Sequence, residues 1–193
     1  MSKICFWHFP RVYGSSLITV LDQNECFYNL GHVLWNEIPR KDWVGGIIAL
    51  LREPVARAIS QYQYWLERHP GADLIDDWLY GSPHSDPHRI RNNTMTGYIS
   101  GSLEPNSYNL INAIKTLEKD IKFGISEYFN DSLAYFQKCY PELEIINYDG
   151  NIHNASRSVA ISQKELEAIR EMNKYDIELY ARALELWNKR RNK

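Results

Sequence analysis

The sequence has no long apolar segment, no excess of one charge and no set of paired cysteines. No run approaches the roughly 20 consecutive apolar residues that span a bilayer, so we expect no stable membrane insertion. The formal net charge is −2, from 22 Lys+Arg and 24 Asp+Glu. This balance argues against a nucleic-acid binder, because such proteins usually carry a basic excess.

The three cysteines, Cys5, Cys26 and Cys139, show no spacing typical of a zinc site or a redox pair. Cys5 lies in an apolar run and is predicted to be a small buried side chain. The N-terminal residues show no signal-peptide core. Together these features predict a cytoplasmic protein in a reducing compartment.

The composition is that of an ordinary globular protein. The chain has 193 residues, of which 44% are hydrophobic and 24% charged, and this predicts one domain over residues 1–193. Short apolar runs alternate with longer helical patterns, which is typical of α/β proteins. Strands are predicted at 3–9, 44–51, 122–126 and 143–148. Helices are predicted up to residue 21, at 54–68, 90–100, 107–120 and 130–139, and as one long helix from 162 onward. The expected fold is a single α/β domain with a P-loop-like central parallel sheet and helices on both faces.

Residues 6–17, FWHFPRVYGSSL, form a predicted anion-binding turn between the first strand and a helix. Such a turn points backbone N–H groups and a helix dipole at one place, which favours phosphate or sulfate. Ser15 and Ser16 add hydroxyl donors, and Arg11 adds a guanidinium. The order Gly-Lys-Ser of a Walker A motif is absent. An ordinary strand-to-helix turn capped by a serine is the alternative interpretation.

A second cationic position follows the strand at 44–51. Arg52 lies at its predicted end, and Ser60 lies two turns along the next helix. Ligands of open α/β sheets bind outside the carboxyl ends of the strands. Arg11 and Arg52 both follow such ends, which predicts a ligand with two separate anionic groups.

Five segments, in order, resemble motifs of the sulfotransferase superfamily, in the small carbohydrate-type branch that includes heparan 2-O-sulfotransferase relatives. Residues 8–17 resemble H-x-P-K-T-G-G-T-S-L, and residues 51–62 resemble L-R-D-P-x-x-R-x-x-S-x-Y. Residues 92–101 resemble D-N-x-x-T-x-Y-L-S-G, residues 124–129 resemble G-x-x-E-x-F, and residues 176–180 resemble D-x-x-L-Y. The five segments are spread in order over nearly the whole chain, from residue 8 to residue 180.

The resemblance implies 3′-phosphoadenosine 5′-phosphosulfate (PAPS) as sulfuryl donor, without a metal. The residues that it implies for the 5′-phosphosulfate are Arg11, Val12, Tyr13, Gly14, Ser15 and Ser16. Arg52 and Ser60 would bind the 3′-phosphate, and Arg157 would close over the donor from a loop. Arg11 would also be the catalytic cation beside the bridging oxygen, where the family has lysine. Val12 and Tyr13 stand where the family has threonine and glycine.

The acceptor hydroxyl needs a base, and His32 is the candidate. It follows Gly31 much as a histidine follows a glycine in the heparan 2-O-type enzymes, and the resemblance implies that this histidine is the base. Imidazole also suits the role because it titrates near neutral pH. A histidine that only caps or packs is the alternative, and Glu37 and Asp22 are reserve candidates. The segment 84–88, HSDPH, is a weak metal motif that we interpret as a loop.

Two further groups of side chains have more than one interpretation. Arg57 is expected to be a solvated charge on its helix. An aromatic group could stack on a sugar, although we expect at least half of it to pack in the core or at its rim. Its members are Tyr62, Tyr64, Trp65, Trp78 and Tyr80.

The expected function is sulfuryl transfer from PAPS to a hydroxyl acceptor, on a glycan or a glycosylated metabolite. A P-loop nucleotide kinase or phosphotransferase is one alternative. A catalytically impaired protein that binds PAPS or its product, adenosine 3′,5′-bisphosphate (PAP), is the other. The acceptor's identity and the oligomeric state are left open.

Overall fold

The computed structural model describes residues 3–39, 45–71, 78, 92–145 and 160–191. These residues form a single α/β domain around one sheet, in which all paired strands are parallel and the order is β2-β1-β3-β4. The strands are β1 (Ile4–Trp7), β2 (Phe27–Gly31), β3 (Ile47–Leu51) and β4 (Ile121–Ile125).

Seven α-helices lie within these described ranges. They are α1 (Gly14–Leu21), α2 (Pro54–Leu66), α3 (Thr94–Ser100), α4 (Ser107–Lys119), α5 (Phe129–Cys139), α6 (Gln163–Met172) and α7 (Lys174–Arg191). Short 3₁₀ turns occur at Trp35–Glu37 and Ser126–Tyr128. None of the described helices is both long and apolar enough to cross a membrane.

The two central strands, β1 and β3, are buried along their whole length. Successive side chains of a strand point to opposite faces, so both faces of these strands are covered, as is usual for parallel sheets. Cys5 is among the buried residues, as predicted. Each fully buried large apolar side chain contributes about 1.5–3 kcal/mol to the stability of the fold. This burial therefore helps to hold β1 and β3 in their positions in the sheet.

The strand order determines which loops meet. Because β1 lies between β2 and β3, the segments that follow these three strands emerge side by side at one edge. They begin with His8 after β1, His32 after β2 and Arg52 after β3.

The strand β2 is not among the predicted strands. It is an edge strand whose sequence FYNLG has only one buried residue, Phe27, so it lacks the apolar run that identified β1 and β3. A strand predicted at 143–148 is not formed at 143–145, and its remaining residues lie outside the described ranges. Of the helix predicted at 90–100, residues 90–91 lie outside the described ranges, residues 92–93 are not helical, and α3 begins at Thr94.

The C-terminal region is two helices rather than one. Helix α6 begins with a capping box, in which Ser162 accepts a hydrogen bond from the Glu165 N–H and the Glu165 side chain accepts one from the Ser162 N–H. The chain leaves helical geometry at Asn173, whose buried side-chain amide donates to the Ile169 carbonyl at 2.9 Å. On α7, Ile177 is exposed, while Trp187 is buried in the main core.

The prediction that Arg57 is a solvated charge is wrong. Its side chain is fully buried, with Nη1 donating to Gln61 at 2.6 Å and Nε lying 3.9 Å from an Asp176 carboxylate oxygen. Burial lowers the pKa of Arg57 and raises the pKa of Asp176, while their mutual attraction opposes both shifts. Arg57 shares the buried stripe of α2 with Ala58 and Trp65, and this spacing is a sequence signal for its burial.

Candidate functional site

A cavity of about 240 Å³ lies at the carboxyl ends of β1, β2 and β3. Its lining includes four residues of the β1–α1 turn and helix start, which are Arg11, Tyr13, Gly14 and Ser15. From the neighbouring segments it includes His32, Arg52 and Ser60. The structure therefore brings most of the site residues predicted from the sequence into one cavity.

The turn before α1 holds two residues in the left-handed region, Arg11 with φ 64° and Tyr13 with φ 62°. This conformation costs a non-glycine residue about 1–2 kcal/mol. The strained turn brings Gly14 and Ser15, the first residues of α1, to the cavity wall. The first N–H groups of a helix have no intrahelical acceptor, and the dipole makes this end favourable for anions.

Gly14 is required by a close approach of His8. A Cβ atom at position 14 would lie 1.9 Å from the Nε2 of His8, so any larger residue would displace the imidazole or the turn. The His8 ring stacks on Phe6, with ring centroids 5.3 Å apart. It also meets the His32 ring edge-on, with centroids 4.7 Å apart. His8 lines the cavity, but the sequence interpretation gave it no role.

Two arginines of the cavity, Arg11 and Arg52, are connected through the backbone of the β1–α1 turn. Arg52 donates from Nη1 to the Arg11 carbonyl at 3.0 Å, and its guanidinium carbon lies 4.7 Å from the Tyr13 ring centroid. Arg11 donates from Nε to the Ser60 hydroxyl at 3.1 Å. Burial, followed by the neighbouring Arg52, lowers the pKa of Arg11, although a guanidinium keeps its proton in proteins. Two cations beside one cavity favour an anionic ligand.

Tyr64 extends this cationic wall along α2. Its ring centroid lies 5.1 Å from the guanidinium carbon of Arg11 and 3.7 Å from that of Arg68. Arg68 is exposed and donates from Nη2 to the Tyr64 hydroxyl at 2.6 Å. Tyr64 is thus a cavity residue, whereas the other described members of the predicted aromatic group, Tyr62, Trp65 and Trp78, are buried against one another.

Several predicted residues lie away from the cavity wall. Val12 is fully buried, and its carbonyl accepts from the Ser126 hydroxyl at 2.9 Å. Ser16 is also buried and is not part of the lining. Asp22 follows the far end of α1, and the Glu37 carboxylate accepts from the Leu34 N–H at 2.9 Å. Arg157, Tyr80 and the segment 84–88 lie outside the described residues.

The motif at 124–129 connects the Arg52 segment to α7. Glu127 accepts from the Glu53 N–H at 2.9 Å and from the Tyr180 hydroxyl at 2.8 Å. Burial, and then this hydrogen bond, raise the pKa of Tyr180. Gly124 packs so closely on α5 that a Cβ would lie 2.5 Å from the Cβ of Ser132. Glu127 and Gly124 thus connect elements beside the cavity, but they are not part of its lining.

Within the described ranges, no three His, Cys, Asp or Glu side chains are grouped as a metal site would require. No protein-family model matches the chain, and no curated protein matches it.

Proposed function

We propose that the protein is a sulfotransferase that moves a sulfuryl group from PAPS to a hydroxyl of a glycan or glycosylated metabolite. The observation that carries the proposal is the convergence of the α1 start, Arg11, Arg52, Ser60 and His32 on one cavity. PAPS has two separate anionic groups, the 5′-phosphosulfate and the 3′-phosphate, and the cavity offers two separate sets of donors.

Each set of donors suits one anionic group. The N–H groups at Gly14 and Ser15, with the Ser15 hydroxyl, would bind the phosphosulfate, because a helix start stabilises anions. The Arg52 guanidinium and the Ser60 hydroxyl would bind the 3′-phosphate. Arg11 reaches Ser60 from the turn and so connects the two. The P-loop-like character of the β1–α1 turn is part of this proposal.

Transfer would proceed in line, with most of the catalysis coming from positioning and from stabilising the charge on the leaving phosphate. The acceptor oxygen forms a bond to sulfur, and the bond from sulfur to the bridging oxygen breaks. His32 removes the acceptor proton as general base. A His32→Ala variant that retained near wild-type transfer would remove His32 from this role.

Arg11 supports a second candidate, a protein that binds PAPS or PAP without catalysis. It replaces the lysine implied by the resemblance, and its Nε is engaged with Ser60. A nucleotide phosphotransferase is less well supported, because the Gly-Lys-Ser order of a Walker A motif is absent.

Calorimetric binding of PAP, with ATP and 5′-AMP measured beside it, tests the proposal. Hydrogen bonds to charged groups contribute about 1.5–3 kcal/mol each, so we expect PAP to bind about 10- to 150-fold more tightly than 5′-AMP. Preference for ATP would favour the phosphotransferase. Absence of binding by all three nucleotides would reject a donor site in this cavity.

A further inference from the structure

His8 lies in the cavity wall directly against the start of α1. It is half-buried at the end of β1, and its imidazole edge touches Gly14 so closely that only a glycine fits there. Stacking on Phe6 holds one face of the ring. The ring is therefore held in a fixed place beside the N–H groups assigned above to the phosphosulfate.

Neither of the two arginines of the cavity can donate a proton to the leaving phosphate oxygen. Both are engaged in side-chain hydrogen bonds, Arg11 with Ser60 and Arg52 with the Arg11 carbonyl. A guanidinium can stabilise negative charge, but it does not give up a proton in proteins. Arg11 stands where the resemblance implies lysine, so a proton for the leaving oxygen would have to come from a residue other than the two arginines.

We propose that His8 is a further catalytic residue, which donates a proton to the leaving phosphate oxygen as His32 accepts one from the acceptor hydroxyl. The inference rests on the proposed function. The two imidazoles come from neighbouring strands, β1 and β2, and their ring centroids are 4.7 Å apart.

The step balances in atoms and charge. The acceptor oxygen bonds to sulfur, and its proton moves to the His32 imidazole. The bond between sulfur and the bridging oxygen breaks, and its electron pair stays on that oxygen, which takes the His8 proton. Neutral His8 and protonated His32 then exchange protons with solvent before the next turnover.

The charges around His8 predict how its proton is controlled. The charged or titratable groups that share the cavity with it are Arg11, Arg52, His32 and the phenols of Tyr13 and Tyr64; no carboxylate belongs to the part of the lining that the structure describes. In the free protein the cations disfavour a protonated imidazole, whereas a bound nucleotide with negative phosphates favours it. Binding of PAP should therefore be accompanied by proton uptake at His8.

Calorimetry in two buffers of different ionisation enthalpy measures this uptake. At about pH 8 the phosphates of PAP are already ionised, because their second pKa is near 6. We expect uptake of up to about one proton per PAP in the wild type, and its loss in His8→Asn and His8→Gln. The same variants should release sulfate from PAPS to water about 10²- to 10⁴-fold more slowly, while PAP affinity falls far less. His69→Asn is the matched control, because His69 stacks on Trp65 and is not part of the cavity lining.

The outcomes separate the two proposals. If the wild type binds no PAP, the donor site itself is wrong. If PAP binds without proton uptake, or if the His8 variants keep both uptake and the rate of PAPS hydrolysis, His8 is not the proton donor and the sulfotransferase proposal stands. Absence of uptake in the wild type rejects the assignment to His8 even if a variant does not fold.

Discussion

Asn93 and Asp176 cap each other's helices. The Asn93 side-chain carbonyl accepts from the N–H groups of Tyr175 and Asp176, at 2.9 and 3.2 Å, at the start of α7. The Asp176 carboxylate accepts from the N–H groups of Met95 and Thr96, at 3.0 and 2.7 Å, in the first turn of α3. Because Asp176 also pairs with the buried Arg57, this arrangement joins α3 and α7 to α2, the helix that carries Ser60.

Removing the Asp176 carboxylate should therefore be costly. Asp176→Ala leaves the buried Arg57 without its counter-charge, and breaking one side of a buried ion pair costs about 3–5 kcal/mol. Urea unfolding measures the loss. Glu178→Ala, at an exposed position of the same helix, should change stability by less than about 0.5 kcal/mol. A similar small effect of Asp176→Ala would show that the network contributes little.

The contact between Gly14 and His8 predicts a coupled pair of substitutions. Gly14→Ala places a methyl group where the imidazole lies, and overpacking of this kind costs about 1–3 kcal/mol. In a His8→Ala background the same substitution should cost much less, because the space is then open. A double-mutant cycle on unfolding free energies measures the coupling. Additive effects would mean that another group excludes the side chain at position 14.

Arg52→Ala tests the 3′-phosphate site. PAP affinity should fall by about 10- to 150-fold, because a charge-assisted hydrogen bond is lost, whereas 5′-AMP affinity should change little. Arg170→Ala, an exposed arginine on α6, is the control for the loss of one positive charge. Equal losses for the two nucleotides would remove Arg52 from this site.

Arg11→Lys distinguishes an active enzyme from an impaired one. Lysine lacks the guanidinium fork that reaches Ser60 beside Tyr64, so we expect PAPS turnover to fall by about 2- to 10-fold. Turnover and PAP affinity are measured together. A gain in turnover with unchanged affinity would instead show that the native turn is compromised for catalysis.

Alkaline pH should weaken the fold. Burial, as the largest cause, raises the pKa of Tyr135 and of Tyr140 to about 12, against about 10 in an unfolded chain. The protonated phenol is thus favoured by folding, and this contribution is complete below about pH 10 and is lost as pH rises towards 12. Urea unfolding across this range should show the decline, and Tyr140→Phe should reduce it. Constant stability would contradict the shifts.

Local patterns were sufficient to predict most of the sheet and part of the site. Apolar runs located β1 and β3, and a residue singled out after each of these strands, Arg11 and Arg52, lines the cavity. The edge strand β2 was missed, because an edge strand need not be apolar.

Other features depend on partners that are distant in the chain. Arg57 can be buried because it contacts Asn173, the residue before α7, and Asp176, in the first turn of α7. Nothing in the local sequence around position 57 names these partners. His8 belongs to the same class of miss, since its importance comes from contact with Gly14 and His32 rather than from its place at a strand end.

The long-range network has a consequence for synthesis of the protein. Arg57 donates a hydrogen bond to the side chain of Asn173, which lies 116 residues later in the chain. At ribosomal rates of about 5–20 residues per second, roughly 6 to 23 s separate the two. During that interval the Arg57 side chain must be solvated by water or bound by a chaperone, because its later partner has not yet been synthesised. The α2 helix can therefore reach its final packing only after the start of α7 has left the ribosome.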